Sequence, residues 1–163
     1  MSTPLPQYKT ALRTLKSRDT VALSKWLPDL LPGDWSAAGV TRLLENGHQF
    51  KVLVLHHGDG SEQLAGLAEC QKIFDEGHLL GIAIAPPLQR KGLGRLLLAQ
   101  MQTELRGQGC RICLLEVRRS NVVAQDLYQR AGFTLDGVRK NYYPSLTPGQ
   151  PLEDALLYSC PLT

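Results

Sequence analysis

The sequence has 163 residues, of which 43% are hydrophobic and 20% are charged, and its formal net charge is +3. This length favours one domain that buries its own core without disulfide bonds, and the composition excludes disordered, collagen-like, coiled-coil and disulfide-scaffold proteins. No apolar run reaches the roughly 18 residues that a membrane-spanning helix needs, so no membrane span is expected.

The first part of the chain predicts one strand and two helices. Apolar and polar residues alternate over 8–15, which is typical of a strand. Asp19 is a candidate N-cap for a first helix, which the prolines from Pro28 onward should end. Ser36 is a candidate N-cap for a second helix, which should end at Asn46-Gly47.

A period of two then replaces the helical period. Residues 48–55 alternate, the turn 58–60 contains two glycines, and 64–74 reads as the returning strand. A second turn at 75–77 leads to a nearly continuous apolar strand at 78–85. Two consecutive hairpins predict an antiparallel meander.

Helices and strands alternate in the remainder of the chain. The apolar residues between Leu93 and Leu105 fall on one helical face, and 111–117 has the pattern of a buried strand. A short helix is predicted at 121–130, and strands at 133–143 and 153–160. A meander followed by this alternation predicts a mixed sheet flanked by helices.

The most informative segment joins the strand at 78–85 to the helix that follows. It contains Gly92 and Gly94 among three cations, at positions 90, 91 and 95. The first N–H groups of a helix have no intrahelical partner, and a glycine removes the Cβ that would keep an anion away. The segment therefore predicts a phosphate or diphosphate site, although an ordinary turn with a solvated basic rim remains the alternative. A P-loop does not fit, because Arg95 follows the last glycine where that motif has a lysine. A Rossmann fingerprint does not fit either, because Leu97 stands where its third glycine should be.

Four cysteines occur, at positions 70, 110, 113 and 160. Cys110 and Cys113 have zinc-knuckle spacing, but a structural zinc site needs four ligands and the histidines supply no second pair. No apolar segment separates the opening Met-Ser-Thr-Pro from Lys9, so no secretory signal is expected. We therefore expect reduced, largely buried thiols, no metal and a cytoplasmic location.

Several segments together resemble a known family. The pattern Gln89-x-x-Gly92-x-Gly94 after a strand resembles the acetyl-CoA loop of the GNAT (Gcn5-related) N-acetyltransferases. The runs 115–121, 127–133, 139–144 and 153–155 resemble, within that family, the bacterial ribosomal-protein alanine N-acetyltransferases. The resemblance extends from about residue 80 to residue 155.

The resemblance implies acetyl-CoA as cofactor and assigns roles to individual residues. It implies that Glu116 is the general base and Tyr128 the general acid in a direct transfer within a ternary complex. The implied cofactor-binding residues are Ile82, Ala83, Ile84, Arg90, Lys91, Gly92, Leu93, Gly94, Arg95 and Asn121. The substrate-side candidates are Trp35, Tyr142 and Tyr143.

The resemblance also implies the architecture. We expect one domain, 1–163, with about seven mostly antiparallel strands, about four helices and central strands that splay apart. Residues 8–85 would form the first strand, helices and meander, and 86–163 the cofactor loop and C-terminal half. A monomer or weak dimer is expected.

Each assigned residue also has a plain structural interpretation. Glu116 can pair with Arg118 or with a basic residue on a neighbouring strand, and Tyr128 can simply pack its helix on the sheet. Asn121, or Ser120 before it, can cap the helix that follows. The tyrosines at 142 and 143 can pack the last strands or line a peptide groove, and Trp35 can anchor the second helix.

The acceptor is the least determined part of the function. The expected acceptor is the N-terminal alanine of a ribosomal protein. A small amine such as a polyamine, an aminoglycoside or an amino acid is the alternative, and a non-catalytic acyl-CoA-binding module is a third possibility. Aromatic residues make up only 6% of the chain and are not interleaved with the basic residues, so direct nucleic-acid binding is not expected.

Overall fold

The computed structural model describes residues 8–163, so the prediction about a secretory signal concerns residues outside the described range. The strands are β1 (Lys9–Thr14), β2 (His48–His56), β3 (Glu62–Ile73), β4 (Glu76–Ile84), β5 (Ile112–Arg118), β6 (Thr134–Tyr143) and β7 (Glu153–Pro161). The helices are α1 (Asp19–Leu23), α2 (Leu27–Leu30), α3 (Ala37–Glu45), α4 (Leu93–Gly107) and α5 (Val122–Arg130). All seven predicted strands are confirmed, with ends that differ by no more than two residues.

The strands form one sheet in the order β1-β2-β3-β4-β5-β7-β6. The β1–β2, β5–β7 and β6–β7 pairs are antiparallel, whereas β4 and β5 are parallel and joined through α4. A parallel pair needs such a long crossover, which a helix usually provides. The parallel pairing covers Glu76–Leu79 with Ile112–Leu115, so it stops before either central strand ends, as expected. The predicted mixed, mostly antiparallel sheet is confirmed.

The helices depart from the prediction near the N-terminal end. The single helix expected after Asp19 is wrong, because α1 and α2 are separate. Pro28 does not end a helix but lies in the first turn of α2, where its missing N–H costs nothing. Asp19 is not an N-cap either; it is the first residue of α1, and it accepts a hydrogen bond of 2.7 Å from the Lys16 backbone N–H.

The second predicted helix is confirmed as α3. The Ser36 hydroxyl accepts a hydrogen bond of 3.1 Å from the Gly39 backbone N–H, which is a normal N-cap. The helix ends at Asn46, and Gly47 follows with a φ of +82°. Among residues 8–163 there are five α-helices where about four were expected, and none is both long and apolar enough to span a bilayer.

The chain divides into two compact units, each built from two stretches. The first unit comprises the residues up to Glu69 together with Gly81–Gln100, and the second comprises Cys70–Leu80 together with Met101–Thr163. The unit boundaries therefore cut β3, β4 and α4, whereas the sequence suggested one division between 85 and 86.

The first unit has a core of side chains from α1, α2, α3 and the strands of the meander. Its buried members are Leu23, Leu27, Trp35, Val40, Phe50, Val52, Val54, Leu67 and Ala83. Gly66 on β3 permits close packing at the end of β4, because a Cβ there would lie 2.7 Å from Ile84 Cδ1 and 2.9 Å from the Ala83 carbonyl oxygen. The last residues of β4 are thus firmly held before the chain enters the candidate cofactor loop.

The second unit buries one face of β5 and exposes part of the other. Cys113, Leu115 and Val117 are buried, and the residues between them are partly exposed. Leu105 on α4 packs so closely on β4 that a Cβ at Gly77 would lie 2.7 Å from its Cδ1. The period of two on β5 therefore places Glu116 on the face opposite to the buried one.

Candidate active site

The end of β4 is tied to the segment that follows it. The Ala85 backbone N–H donates a hydrogen bond of 2.8 Å to the Ala65 carbonyl oxygen on β3. A 3-10 turn at Pro86–Leu88 comes next, and the Gln89 side-chain amide donates a hydrogen bond of 3.0 Å back to the Ile84 carbonyl oxygen. The sequence motif contains Gln89 but did not reveal this role. Gln89 holds the loop against the strand end on which Ile82–Ile84 lie.

The loop turns through two residues with positive φ. Arg90 has a φ of +64° and Gly92 has a φ of +79°. A Cβ at Gly92 would meet nothing within 4 Å, so the space beside the backbone is open. The first intrahelical bond of α4 runs over 3.1 Å from the Leu96 N–H to the Gly92 carbonyl oxygen. The backbone N–H groups of residues 93–95 lie before this first bond, so no carbonyl of the helix accepts a hydrogen bond from them.

The three cations of this loop are exposed. Arg90, Lys91 and Arg95 all have mostly solvent-accessible side chains, and none forms an ion pair within residues 8–163. Mobile positive charge, an open glycine and helix N–H groups form a set that suits a phosphate or diphosphate. These residues of the first unit therefore fit the diphosphate of coenzyme A.

Glu116 in the second unit forms an ion pair with Arg139. Its Oε1 lies 2.8 Å from Arg139 Nη1, and the two side chains are 32% and 49% exposed. Arg139 belongs to β6, which pairs with β7 and not with β5. Of the two structural pairings considered for Glu116, the one with Arg118 does not form, and the basic partner lies not on a neighbouring strand but two strands away.

Arg118 has other partners. Its Nη1 donates to the Pro144 carbonyl oxygen at 2.8 Å and lies 3.1 Å from Glu153 Oε2. Its guanidinium carbon lies 4.5 Å from the centre of the Tyr143 ring. Hydrogen bonds from Ser120, together with Arg118, hold the pKa of the Glu153 carboxyl below its ordinary value.

Tyr142 and Tyr143 each stack with an arginine. The Arg139 guanidinium lies 4.7 Å from the Tyr142 ring centre, and the two tyrosine rings meet edge to face at 4.9 Å. Burial, followed by the nearby Glu116 charge, raises the pKa of the Tyr143 hydroxyl. Both tyrosines thus pack the end of β6 close to Glu116, and their contact with an acceptor stays a prediction.

Tyr128 on α5 is 7% exposed and packs into an aromatic group. Its ring centre lies 5.8 Å from that of Phe133 and 6.5 Å from that of Tyr158. Burial, and then the neighbouring Tyr143 and Cys113, raise the pKa of its hydroxyl, which therefore stays protonated. Within residues 8–163 this hydroxyl has no hydrogen-bond partner. The packing interpretation is confirmed, and the hydroxyl remains able to donate.

Asn121 is the N-cap of α5. Its Oδ1 accepts a hydrogen bond of 3.2 Å from the Ala124 backbone N–H, and the side chain is otherwise exposed. The predicted capping role is confirmed, whereas its contact with the cofactor stays a prediction. Ser120 is not the cap; its own backbone N–H donates to Glu153.

Trp35 lies in the core of the first unit. It is 6% exposed, meets Phe50 edge to face at 5.9 Å, and donates a hydrogen bond from Nε1 to the Leu31 carbonyl oxygen at 2.6 Å. These contacts are to Leu31 after α2 and to Phe50 on β2, so the anchoring of the second predicted helix and the substrate-side role of Trp35 both stay predictions.

The four cysteines are buried, as expected, and no disulfide joins them. Burial, and then the neighbouring cysteines at 160, 70 and 110, raise the pKa of the Cys113 thiol to about 12. A thiol with such a pKa is almost entirely un-ionised at neutral pH and is a poor nucleophile. In the described part of the chain, no group of three His, Cys, Asp or Glu side chains could hold a metal ion.

The family model described as the Acetyltransferase (GNAT) family matches residues 20–133, which is more than half of the chain. The chain therefore belongs to the GNAT family and is an acetyl-CoA-dependent N-acetyltransferase.

Curated relatives show a narrower similarity. The "[Ribosomal protein bS18]-alanine N-acetyltransferase" of Salmonella typhimurium is 40% identical over 102 residues, which cover 63% of this chain and 67% of the relative. The protein of the same name from Escherichia coli K12 is 42% identical over 101 residues, which cover 62% and 66%. The matched part thus spans about two thirds of these relatives.

Solved structures match over nearly the whole chain. The ribosomal-protein-S18-alanine N-acetyltransferase from Escherichia coli has a TM-score of 0.77 and 30% identity, and the match covers 95% of both chains. A Bacillus subtilis acetyltransferase solved in complex with CoA has a TM-score of 0.70 and 21% identity, and the match covers 96% of this chain and 100% of the other. The second similarity concerns the fold alone.

Proposed function

We propose that this chain acetylates the α-amino group of an N-terminal alanine on a ribosomal protein. The observation that carries the proposal is the identity of 40–42%, over about 100 residues, to relatives that bear this activity in their names. The 30%-identical solved structure of the same name, matched over 95% of both chains, supports it. The chain would act in the cytoplasm, where its acceptor is made, as a monomer or weak dimer.

The cofactor would be held by residues of the first unit. The N–H groups of 93–95 would accept the diphosphate, with Arg90, Lys91 and Arg95 around it. The open space at Gly92 supports this role, because any Cβ would occupy it. The backbone of Ile82–Ile84 would bind the pantetheine arm. When bound, acetyl-CoA supplies an acetyl group activated as a thioester.

Two residues of the second unit would move protons. An α-amino group has a pKa near ~7.7–8.0, so its proton is lost readily near neutral pH. Glu116 would take that proton with its carboxylate, of which Oε1 lies 2.8 Å from Arg139 Nη1. Tyr128 would donate its hydroxyl proton to the leaving thiolate, a role that its protonated, unpartnered hydroxyl supports.

The transfer would be direct, without an acylated enzyme. The four thiols are buried, and the raised pKa of Cys113 disfavours the thiolate that a relay needs. The amine itself is therefore the nucleophile, and the protein contributes binding, orientation and proton transfer.

The proposal is tested with a panel of peptides and small amines. Acetyl-CoA turnover should be highest on peptides that begin with alanine or another small residue and continue with basic residues. Turnover on polyamines, aminoglycosides or amino acids with peptides untouched would replace the peptide acceptor by a small amine. Cofactor binding without turnover on any amine would indicate a non-catalytic acyl-CoA-binding module.

The base is tested separately with Glu116→Gln. The variant should lose roughly 100-fold or more in kcat, since positioned general bases contribute about that much. Its Kd for coenzyme A, measured by calorimetry, should be nearly that of the unaltered protein. An unchanged rate would remove Glu116 as the base.

A further inference from the structure

Two rows of side chains lie across β5, β7 and β6 on one face of the sheet. Glu116 on β5 is opposite Leu157 on β7, and Leu157 is opposite Gly137 on β6. One row further along, Ala155 on β7 lies between Arg118 and Arg139. Directly opposed residues of antiparallel strands project from the same face, so these six positions form one surface.

A small residue on β7 lies under the path from Arg139 to Glu116. Gly137 is not what admits the arginine, since a Cβ built there would have only Leu157 Cδ1 nearby, at 4.0 Å. The central position of the arginine row is the buried Ala155. The Arg139 side chain therefore reaches over β7 to within 2.8 Å of the carboxylate oxygen.

The guanidinium of Arg139 has a second contact that fixes its plane. It lies 4.7 Å from the centre of the Tyr142 ring, within the range of a cation–π contact. A planar guanidinium stacks on an aromatic face while its N–H groups point to an acceptor in the same plane, which a lysine ammonium cannot do. Tyr142, Arg139 and Glu116 thus form a chain of contacts that ends on the carboxylate.

We propose that Arg139 is a positioning residue that orients the Glu116 carboxylate for proton transfer. The ion pair at Oε1 restrains the rotation of the carboxylate that takes the proton from the acceptor amine. This inference rests on the proposed function, in which Glu116 is the general base. No bond to acceptor or cofactor is assigned to Arg139 itself.

The solvent exposure of Glu116 and Arg139 allows a positioning role to be distinguished from a role in stability. Glu116 is 32% exposed and Arg139 is 49% exposed, so water screens their attraction. Ion pairs of this kind contribute at most about 1 kcal/mol to the free energy of unfolding. Removing the guanidinium should therefore leave the fold intact, and a large loss of rate would have to come from the orientation of Glu116.

The test is a double-mutant cycle on peptide acetylation. R139Q should lower kcat roughly 10- to 100-fold, as expected for a misplaced catalytic group, while KM for acetyl-CoA and the melting temperature stay nearly constant. R139K should recover part of the loss, because it keeps the charge but not the stacked plane. In an E116Q background, R139Q should have almost no further effect, since Arg139 acts through Glu116.

A matched control is R130Q on α5. Arg130 forms an ion pair of 2.8 Å with Asp126, and both side chains are largely exposed, so this variant removes one cation and one surface pair away from Glu116. Its kcat should equal that of the unaltered protein. If kcat of R130Q fell as much as that of R139Q, the loss of one positive charge would explain both effects, and the inference would be overturned.

The outcomes distinguish the two proposals. An R139Q variant that is fully active, or equally impaired with and without E116Q, overturns the positioning role and leaves the acetyltransferase assignment standing. If the unaltered protein is active and E116Q does not lower its rate, the role of Glu116 as base and the positioning role of Arg139 are both overturned. An unaltered protein that acetylates no amine overturns the proposed function and this inference at once. If R139Q fails to fold, R139K is measured alone and in the E116Q background, and its rates are judged by the same criteria.

Discussion

The backbone N–H of Ser120 donates a hydrogen bond of 2.6 Å to Oε1 of Glu153. Ser120 precedes the N-cap of α5, and Glu153 is the first residue of β7. Oε2 of the same carboxylate lies 3.1 Å from Arg118 Nη1 at the end of β5. One side chain thus connects the end of β5, the start of α5 and the start of β7, and with them the segment that carries Asn121.

Removing this carboxylate should destabilise the second unit. Glu153 is 18% exposed, and Glu153→Ala would leave the Ser120 N–H without its acceptor and Arg118 without its anionic partner, with only the Pro144 carbonyl oxygen still accepting from Arg118 Nη1. We expect a loss of about 1–3 kcal/mol in the free energy of unfolding, measured by urea denaturation at neutral pH. Glu153→Gln should lose less, since its amide oxygen can still accept from Ser120.

The control for Glu153 is Glu45→Ala at the end of α3. Glu45 is exposed and forms no ion pair within residues 8–163, so its replacement should change the free energy of unfolding by less than about 0.5 kcal/mol. Equal effects of Glu153→Ala and Glu45→Ala would show that the connection contributes nothing to stability.

Gly92→Ala should weaken cofactor binding more than it weakens the fold. The φ of +79° disfavours alanine by roughly 1 kcal/mol, and no atom of the protein within 4 Å would clash with the new Cβ. In the proposed site, that Cβ would occupy the space needed by the diphosphate. We expect the Kd for coenzyme A, measured by calorimetry, to rise at least about tenfold, equivalent to 1.4 kcal/mol.

Gly60→Ala is a matched control for Gly92→Ala. Gly60 lies in the β2–β3 turn with a φ of +83° and also has nothing within 4 Å of a built Cβ. The two variants should lose similar stability, and only Gly92→Ala should lose affinity for coenzyme A. Unchanged affinity in Gly92→Ala would argue against a diphosphate at this loop.

Tyr128→Phe should separate chemistry from packing. The ring contacts with Phe133 and Tyr158 are kept, and the hydroxyl has no partner within residues 8–163, so the melting temperature should stay nearly constant. If the hydroxyl is the general acid, kcat should fall roughly 100-fold or more, with an unchanged Kd for coenzyme A. A stable variant with full kcat would leave Tyr128 as a packing residue only.

The sequence was sufficient for those features that depend on local period and turn chemistry. The alternation along β5 and the turn residues at Gly47 and Gly132 are visible in one short window, and Ser36 and Asn121 cap the helices they precede. Such signals are local because N-cap side chains reach only the next turn of their own helix. The cofactor loop was found for the same reason, since its glycines and cations are contiguous.

The partners of the charged residues were not predictable in this way. The Glu116–Arg139 pair depends on the order β5-β7-β6, with the small Ala155 between the strands, and no window around Glu116 shows either. The same holds for Glu153 and Ser120, which are 33 positions apart. The division of the first helix was missed because proline is equally compatible with the end of one helix and the first turn of the next.

A charged cluster in the first unit connects β1, α1 and β3. The Arg13 guanidinium donates two hydrogen bonds to Asp19, of 2.7 and 3.0 Å, and two to Glu62, of 2.8 and 3.2 Å. Asp19 is 4% exposed, whereas Glu62 is 26% exposed. No local pattern in the sequence indicates this cluster, since its members lie on three separate elements.

The cluster lowers the pKa of both carboxyls. Burial alone would raise the pKa of Asp19, but the hydrogen bonds from Arg13 and the Lys16 backbone outweigh it, and the pKa is lowered. The hydrogen bonds from Arg13 are the main cause of the lowered pKa of Glu62. The folded state therefore binds fewer protons than the unfolded chain over the pH range between the two sets of pKa values.

We therefore expect the stability of the protein to fall in acid, and Asp19→Asn to reduce that dependence. The stabilisation is fully present above the unfolded-state pKa values, near about 4, and is lost as the pH falls through the lowered folded-state values. Asp19→Asn should cost roughly 3 kcal/mol near neutral pH, because it leaves Arg13 short of one buried anionic partner. Its free energy of unfolding should approach that of the unaltered protein as the pH falls below about 4, whereas Glu62→Gln, at the more exposed site, should cost less throughout. Urea denaturation over a series of pH values measures these curves. Parallel curves for Asp19→Asn and the unaltered protein would show that Asp19 has no lowered pKa in the folded state.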